Sequence, residues 1–138
     1  RFLQRSMVLG MGIGILAAVM VQSSSITTSL LIPLFGAGVL KLEAGFPIML
    51  GANIGTTITA MLAATVTGPT VLTIAVVHLL FNLMGTLMFL PVRPVRRIPI
   101  RLSKQLAVLA THNRLWVLIY ILGVFVMGPI LGILIWKS

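Results

Sequence analysis

Three long stretches without a charged side chain constrain the fold of this chain more than any other feature. They cover residues 6–40, 44–92 and 115–136, which are 35, 49 and 22 residues long. A helix that crosses the hydrocarbon core of a bilayer needs about 20 apolar residues. Only 8% of the residues are charged, against about 25% in a typical soluble domain. We therefore predict an all-α integral membrane fold, with residues 1–138 forming a single membrane domain.

The second and third uncharged stretches divide readily into membrane-spanning helices. The second is long enough for two helices, and Gly68-Pro69 near its middle is a strong turn signal. The third is long enough for one helix. The predicted spanning helices are 45–66, 70–91 and 114–136.

The first uncharged stretch fits neither one nor two spanning helices. Two helices with a turn would need roughly 44 residues, and the centre of the stretch carries the polar run Gln22-Ser23-Ser24-Ser25. We predict a re-entrant helical hairpin over residues 6–40, with this run at its tip and Ser24 or Ser25 as the N-cap of the second arm. Irregular backbone at membrane depth needs a covering of protein or a water-filled cavity. The tip should therefore face the interior of a larger assembly.

The charged residues exclude several classes of function. The chain has no cysteine and one acidic residue, Glu43, so thiol chemistry and paired-carboxylate catalysis are excluded. We expect neither an enzyme nor a bound cofactor. The net charge of +9 would indicate nucleic acid in a soluble protein, but here the cations flank apolar stretches, as in membrane proteins.

Half of the basic residues cluster in one connector, over residues 93–110. Its sequence fits either an amphipathic helix lying at the membrane interface or an ordinary basic loop. Its expected neighbours are the headgroups of the lipid bilayer rather than nucleic acid. The positive-inside rule would place this connector on the cytoplasmic side, whereas a cytoplasmic C-terminus, one span further along the chain, would require the opposite orientation.

The polar run at residues 22–25 is the first candidate for a binding site. Unpaired polar groups in hydrocarbon cost on the order of one to several kcal/mol each, and a helix N-terminus favours an anion. Both arguments favour a ligand site at Gln22, Ser23, Ser24 and Ser25. In the alternative, these hydroxyls bond back to their own helix or join helices together.

A second polar interruption runs from Gly51 to Thr59, as Gly-Ala-Asn-Ile-Gly-Thr-Thr-Ile-Thr. Two glycines flanking Asn53 permit the helix to unwind, which would free carbonyl groups for a cation. We predict an interrupted helix and a sodium site of neutral oxygens. The alternative is helix packing, because Gly51 and Gly55 have the GxxxG spacing. We interpret Gly10/Gly14 and Gly128/Gly132 as packing pairs only.

His78 and Asn82 lie four residues apart, on one face of their predicted helix. A proton relay is conceivable there. We favour interhelical hydrogen bonding as their role.

At these motifs the sequence resembles the type II sodium–phosphate cotransporter family. The run 21–29 resembles the QSSS signature of that family, and 51–57 resembles its G-(A/S)-N-I-G-T-T signature. The resemblance covers most of residues 7–125. It implies two inverted repeats, of which this chain would be the C-terminal one, completed by the missing repeat or by a second copy in a homodimer. The chain opens at Arg1 in mid-pattern without a signal peptide, and we interpret it as part of a longer protein.

The resemblance also implies substrates and a site near the midplane. It places Gln22, Ser23 and Ser24 against sodium and phosphate, with Asn53, Thr56 and Thr59 as further sodium ligands. Together with the residue patterns, the predicted phosphate site is Gln22, Ser23, Ser24 and Ser25. The predicted sodium site is Gln22, Ser23, Asn53, Thr56, Thr57 and Thr59. Animal members tend to carry Ser at position 52, so Ala52 lacks one hydroxyl.

The implied function is sodium-coupled symport of inorganic phosphate by alternating access, with sodium as the coupling ion. The implied location is the cell membrane, as a multi-pass protein of the plasma membrane or of a bacterial inner membrane. Two alternatives remain open. One is transport of another oxyanion or small solute, or coupling to protons, by the same architecture. The other is a non-transporting membrane module that docks a regulatory partner.

Overall fold

The chain is helical along almost all of residues 6–137, the residues that the computed structural model describes. In chain order the helices are α1 (Met7–Val21), α2 (Ser24–Gly36), α3 (Leu42–Thr67), α4 (Pro69–Phe89), α5 (Arg93–His112), α6 (Arg114–Ile121) and α7 (Gly128–Lys137), with a π-helical segment (Leu122–Met127) between α6 and α7. The prediction of an all-α chain is confirmed. One compact unit ends at Arg97 and a second begins at Ile98.

Three helical stretches are long and apolar enough to cross a bilayer, judged by length and composition. They are Leu42–Thr67, Pro69–Phe89 and Leu115–Lys137. By contrast, α1 has 15 residues and α2 has 13, which is shorter than the roughly 20 residues that a span needs. The described chain therefore combines three helices of spanning length with one pair of short apolar helices.

The first unit is organised by close backbone contact between α1 and α3. A Cβ atom added to Gly14 would lie 2.9 Å from the backbone nitrogen of Ala52, and one added to Gly55 would lie 2.6 Å from the carbonyl oxygen of Ile15. A Cβ added to Gly51 would likewise collide with the backbone of α1. Glycine is needed at these positions because its lack of a side chain lets two helix backbones approach.

The order of these contacts gives the direction of the helices. Gly10, near the start of α1, lies beside Pro47, while Ala18, one turn before the end of α1, lies beside Gly55. Position increases together along both helices, so α1 and α3 run parallel. The helix between them, α2, begins where α1 ends, and its Phe35 ring lies against Gly45 near the start of α3. It therefore runs antiparallel to both.

The connection between α3 and α4 is a single residue, Gly68. Its φ of 131° and ψ of 167° are accessible to glycine and not to residues with a side chain. Pro69 follows as the first residue of α4, where its missing N–H costs no hydrogen bond. The two helices consequently form an antiparallel hairpin.

The predicted interruption at Asn53 is wrong, because α3 is unbroken from Leu42 to Thr67. Gly51 and Gly55 are buried against α1, so their small size is used for packing rather than for unwinding. Of the two alternatives that the sequence left open for this motif, helix packing is the one observed.

The second unit contains a helix with one wide turn. The N–H group of Gly128 donates to the carbonyl of Gly123, five residues earlier. Pro129 has no N–H for the carbonyl of Phe125 and its ring would crowd that group, which explains a π-helical segment immediately before it. Tyr120 packs edge-on against Phe125, with ring centroids 6.3 Å apart.

The packing predicted for Gly128/Gly132 is not found within residues 6–137. A Cβ atom added to Gly132 would meet no described atom within 4 Å. This pair contrasts with Gly10/Gly14, whose packing role is confirmed.

We predict that Gly14→Ala destabilises the protein and that Gly12→Ala does not. The added methyl group at position 14 would collide with the backbone of α3, whereas nothing lies within 4 Å of one at position 12. Overpacking of this kind costs about 1–3 kcal/mol. Thermal unfolding of the full-length protein in detergent should show a lower Tm for Gly14→Ala alone. Equal Tm values for the two variants would contradict the packing described for α1 and α3.

Candidate functional site

The turn between α1 and α2 is formed by two residues with unusual backbone geometry. Gln22 ends α1 in the left-handed conformation, with φ 57° and ψ 25°. Among the described residues it is the only non-glycine residue with positive φ. Ser23 follows in an extended conformation and begins α2. Left-handed backbone costs a residue with a side chain about 1–2 kcal/mol, so packing around this turn must compensate for it.

Ser23 caps α2 with both its side chain and its backbone. Its Oγ accepts a hydrogen bond from the N–H of Ile26 at 3.2 Å. Its carbonyl oxygen accepts one from the Thr27 hydroxyl at 2.8 Å and one from the Thr27 N–H at 3.2 Å. The expectation that Ser24 or Ser25 caps the helix is wrong by one or two residues, because the left-handed Gln22 already ends α1 and leaves Ser23 extended.

Two backbone donors at the start of α2 are left for another partner. Within the described residues, no acceptor is recorded for the N–H groups of Ser24 and Ser25. The first N–H groups of a helix point along its axis and carry a partial positive charge. Because the Ser23 Oγ accepts a bond from Ile26, its own hydroxyl proton also remains available to an acceptor. This end of α2 therefore offers several donors and suits an anion.

The threonines of α3 present the opposite chemistry. Thr56 donates its hydroxyl proton to the carbonyl of Ala52 at 3.1 Å, Thr57 donates to Ile54 at 2.7 Å, and Thr59 donates to Thr56 at 2.8 Å. A hydroxyl that has donated its single proton keeps its lone pairs for other contacts. Thr56 and Thr59 are half-buried and Thr57 is fully buried. The half-buried pair therefore offers acceptor oxygens to a ligand.

The parallel register of α1 and α3 brings the turn at Gln22 and the threonines of α3 to the same height along the helices. Ala18 lies beside Gly55, and both helices rise about 1.5 Å per residue. Gln22 and Thr59, each four residues further on, are therefore level with each other. The turn between α1 and α2 lies at the height of the Thr56–Thr59 segment, so the two polar motifs share one level of the helix group.

Asn53 lies about one turn of α3 away from this level and is exposed. Its carbonyl oxygen accepts a long hydrogen bond of 3.4 Å from the Asn82 side chain on α4. For Asn82, the interpretation as an interhelical hydrogen-bonding residue is confirmed. Sequence reasoning did not single out Thr86, whose hydroxyl is buried and has no hydrogen-bond partner among the described residues. Its spacing of four residues from Asn82 is the signal that could have identified it.

Several predicted site residues face away from the rest of the chain. Gln22, Ser25 and Asn53 are exposed, while Ser23 and Ser24 are half-buried. Residues 6–137 contain no group of three or more His, Cys, Asp or Glu side chains that could hold a metal ion. A cation at this level would therefore be coordinated by neutral oxygens of this chain.

Comparison with known proteins identifies the family. A family model described as Na+/Pi-cotransporter matches residues 1–128. The chain belongs to this family. The resemblance noted in the sequence at its two polar motifs is thereby confirmed.

Relatives in this cotransporter family are similar to the chain over most of its length. It is 42% identical over 114 residues to the sodium-dependent phosphate transport protein 2B of Bos taurus, an alignment covering 80% of the chain and 16% of that protein. It is 42% identical over 115 residues to protein 2C of Mus musculus, covering 80% and 19%. It is 41% identical over 123 residues to protein 2A of Ovis aries, covering 86% and 19%.

The chain thus spans less than a fifth of the length of these relatives. Their names describe transport proteins and not enzymes, in agreement with the function class expected from the sequence. No solved structure matches the chain.

We predict that the capping role of Ser23 contributes to the stability of the protein whether or not a ligand is bound. Ser23→Ala removes the acceptor for the Ile26 N–H and should lower the stability by about 1 kcal/mol, whereas Ser23→Asn should largely preserve it, because Asn is an equally good N-cap. Ser25→Ala is the matched control, since Ser25 has no capping role. Thermal unfolding of the full-length protein without substrate measures this. A Ser23→Ala variant as stable as Ser25→Ala would rule out the cap.

Proposed function

We propose that the protein carrying this chain is a sodium-coupled symporter of inorganic phosphate and that this chain supplies half of its binding site. The observation that carries the proposal is the opposite orientation of hydroxyl protons in the two polar motifs. At the start of α2, donors remain for an anion. On α3, the protons are used within the helix and acceptor oxygens remain for a cation. Membership of the cotransporter family supports phosphate and sodium as the two ions.

Phosphate would bind at the start of α2. The N–H groups of Ser24 and Ser25 and the hydroxyl of Ser23 are donors that phosphate oxygens accept, and the helix dipole adds a favourable field. The Gln22 amide could donate a further hydrogen bond. Because these residues form one turn, a single phosphate group could contact several of them at once.

Sodium would bind next to this turn, against α3. A hard cation is coordinated by oxygen atoms, and Thr56 and Thr59 present hydroxyl oxygens with free lone pairs. Gln22, whose side chain carries an amide oxygen, is level with them along the helices. Asn53 and Thr57 are the less favourable members of the predicted set. Asn53 lies about one turn of α3 away from this level, and Thr57 is fully buried.

The rest of the site would come from outside this chain. The exposure of Gln22, Ser25 and Asn53 leaves one side of both ions without ligands. We propose that an inverted repeat, or a second copy in opposite orientation, covers that side. The short helices α1 and α2 would then form a re-entrant hairpin whose turn is buried between the repeats.

This arrangement explains coupling in physical terms. Sodium and phosphate at one level would neutralise each other, and so each would lower the cost of bringing the other out of water. The doubly loaded site would then be exposed alternately to the two sides of a cell membrane as the repeats rock against each other. Partial loading would leave an uncompensated charge and disfavour the transition.

We predict that Gln22→Gly preserves the fold but reduces sodium-dependent phosphate uptake by about tenfold or more. Glycine is tolerated in the left-handed conformation of this position. A loss of uptake would therefore be caused by the missing side-chain amide and not by a change in the backbone. Hydrogen bonds to charged groups are worth about 1.5–3 kcal/mol. Uptake of labelled phosphate into proteoliposomes measures this, with thermal unfolding as the control for folding. Uptake equal to that of the unmodified protein would remove Gln22 from the site.

We also predict that Thr59→Val raises the sodium concentration required for half-maximal uptake, by about threefold or more. Valine keeps the shape of threonine but removes an acceptor oxygen, a change worth about 1 kcal/mol. Thr65→Val is a matched control, since the Thr65 hydroxyl also bonds back within α3, to Leu62 at 2.7 Å, but lies beyond the level of the site. Identical sodium dependence in the two variants would exclude Thr59 as a ligand.

The substrate itself can be tested against the alternatives. Competition by arsenate but not by sulfate would support a phosphate site, and replacement of sodium by choline should abolish uptake. Uptake that follows a proton gradient in the absence of sodium would favour proton coupling instead. Absence of any sodium-dependent ligand binding would favour a non-transporting module.

A further inference from the structure

A feature that ion transport leaves unexplained is the strong separation of charge and apolar surface on α5. Basic residues are concentrated there, namely Arg93, Arg96, Arg97, Arg101 and Lys104, and residues 93–112 contain no acidic residue. The connector proposed as either a basic loop or an interfacial helix is in fact helical from Arg93 to His112. Helical order is what allows its charged and apolar residues to separate onto different faces.

The part of α5 that lies in the second unit shows this separation clearly. Leu102, Leu106 and Leu109 are spaced by four and three residues and so share one face. Arg101 and Lys104 are spaced by three residues and lie on another side of the same turns. Leu102 is 59% exposed and Leu109 is 45% exposed, so most of the apolar face is uncovered within this chain.

The apolar face borders a cleft. Its volume is about 430 Å³. Its wall consists mainly of Pro99, Leu102, Leu106 and Leu109 of α5 and Tyr120 of α6. An adjoining hollow is lined by Lys104, Gln105, Val108 and Leu109. A continuous surface therefore passes from an apolar cleft to a cationic side chain over about one helical turn.

The position of α5 in the chain indicates that the molecules next to this cleft are membrane lipids. It is preceded by α4 and followed by the apolar stretch Leu115–Lys137, both of spanning length. If both cross the bilayer, the two ends of α5 lie at the same membrane surface. A helix with five cations cannot enter the hydrocarbon, so it must lie along the interface with its apolar face toward the acyl chains.

We propose that this part of α5, together with Tyr120, is a binding site for an anionic phospholipid. One acyl chain would occupy the cleft along Leu102, Leu106 and Leu109. The phosphate of the headgroup would lie at the side carrying Arg101 and Lys104, and the second acyl chain would remain in the bilayer. The proposal rests on α4 and the stretch Leu115–Lys137 crossing the membrane, as the membrane transporter of the proposed function requires, and not on phosphate as its substrate.

The experiment uses the purified full-length protein and two lipids that differ only in headgroup charge. Phosphatidylglycerol and phosphatidylcholine with identical acyl chains are added in equal amount, and the lipid retained by the protein is measured by native mass spectrometry. We expect phosphatidylglycerol to be retained in preference. One basic residue near an anionic surface is worth about fivefold in binding, so the Arg101→Gln/Lys104→Gln variant should lose roughly tenfold or more of this preference.

Two controls make the result specific. Lys41→Gln/Lys137→Gln removes the same amount of charge outside α5 and should retain the preference. Leu102→Gln places a polar group on the apolar face and should reduce retention of the lipid, whereas Ala107→Gln, away from that face, should not. Thermal unfolding of each variant confirms that it is folded, and this control depends neither on lipid retention nor on phosphate transport.

Either of two outcomes would overturn the proposal. One is equal retention of the two lipids by the unmodified protein. The other is a dimer that persists in detergent and is lost in Leu102→Gln, because a second copy of the chain would then be the occupant of the apolar face. A protein that retains phosphatidylglycerol selectively but takes up no phosphate would support the lipid site and contradict the proposed transport.

Discussion

The close contact of α1 with α3 is the interaction on which the rest of the first unit depends. Glycine at positions 14, 51 and 55 lets two helix backbones approach in parallel, and this contact sets their register. The register places the turn after α1 level with Thr56–Thr59. A bulkier residue at any of these positions would separate the two polar motifs as well as the two helices. The contact therefore sets both the packing of α1 against α3 and the geometry of the proposed ion site.

Within that geometry, the direction of individual hydroxyl protons distinguishes the two proposed ion sites. Ser23 accepts a bond through its oxygen and keeps its proton, whereas Thr59 donates its proton and keeps its lone pairs. The two residue types carry the same functional group, so composition does not separate an anion site from a cation site. The difference arises from position, since Ser23 precedes a helix and Thr59 lies inside one.

Sequence reasoning succeeded where length and charge decide the outcome. The uncharged stretches predicted an all-α membrane chain, and the two motifs predicted the family to which the chain belongs. It failed at Asn53, where two glycines support both unwinding and helix packing. The choice depended on whether another backbone lies against them, and residues 51–59 carry no information about that neighbour. Ser23 rather than Ser24 caps α2 for a local reason, because the left-handed turn at Gln22 leaves Ser23 extended.

The sequence by itself determined which parts of this protein can leave water and which residue types interrupt them. Hydropathy and charge act locally, so they can be interpreted residue by residue. Only the tertiary structure decided that α1 and α3 run parallel, that Asn82 reaches the backbone carbonyl of Asn53, and that Ala18 packs on Gly55, which puts the turn at Gln22 level with the α3 threonines. Each of these is a contact between residues far apart in the chain. Such a contact depends on how the surfaces of two helices fit each other, and the sequence of one helix does not specify the surface of the other.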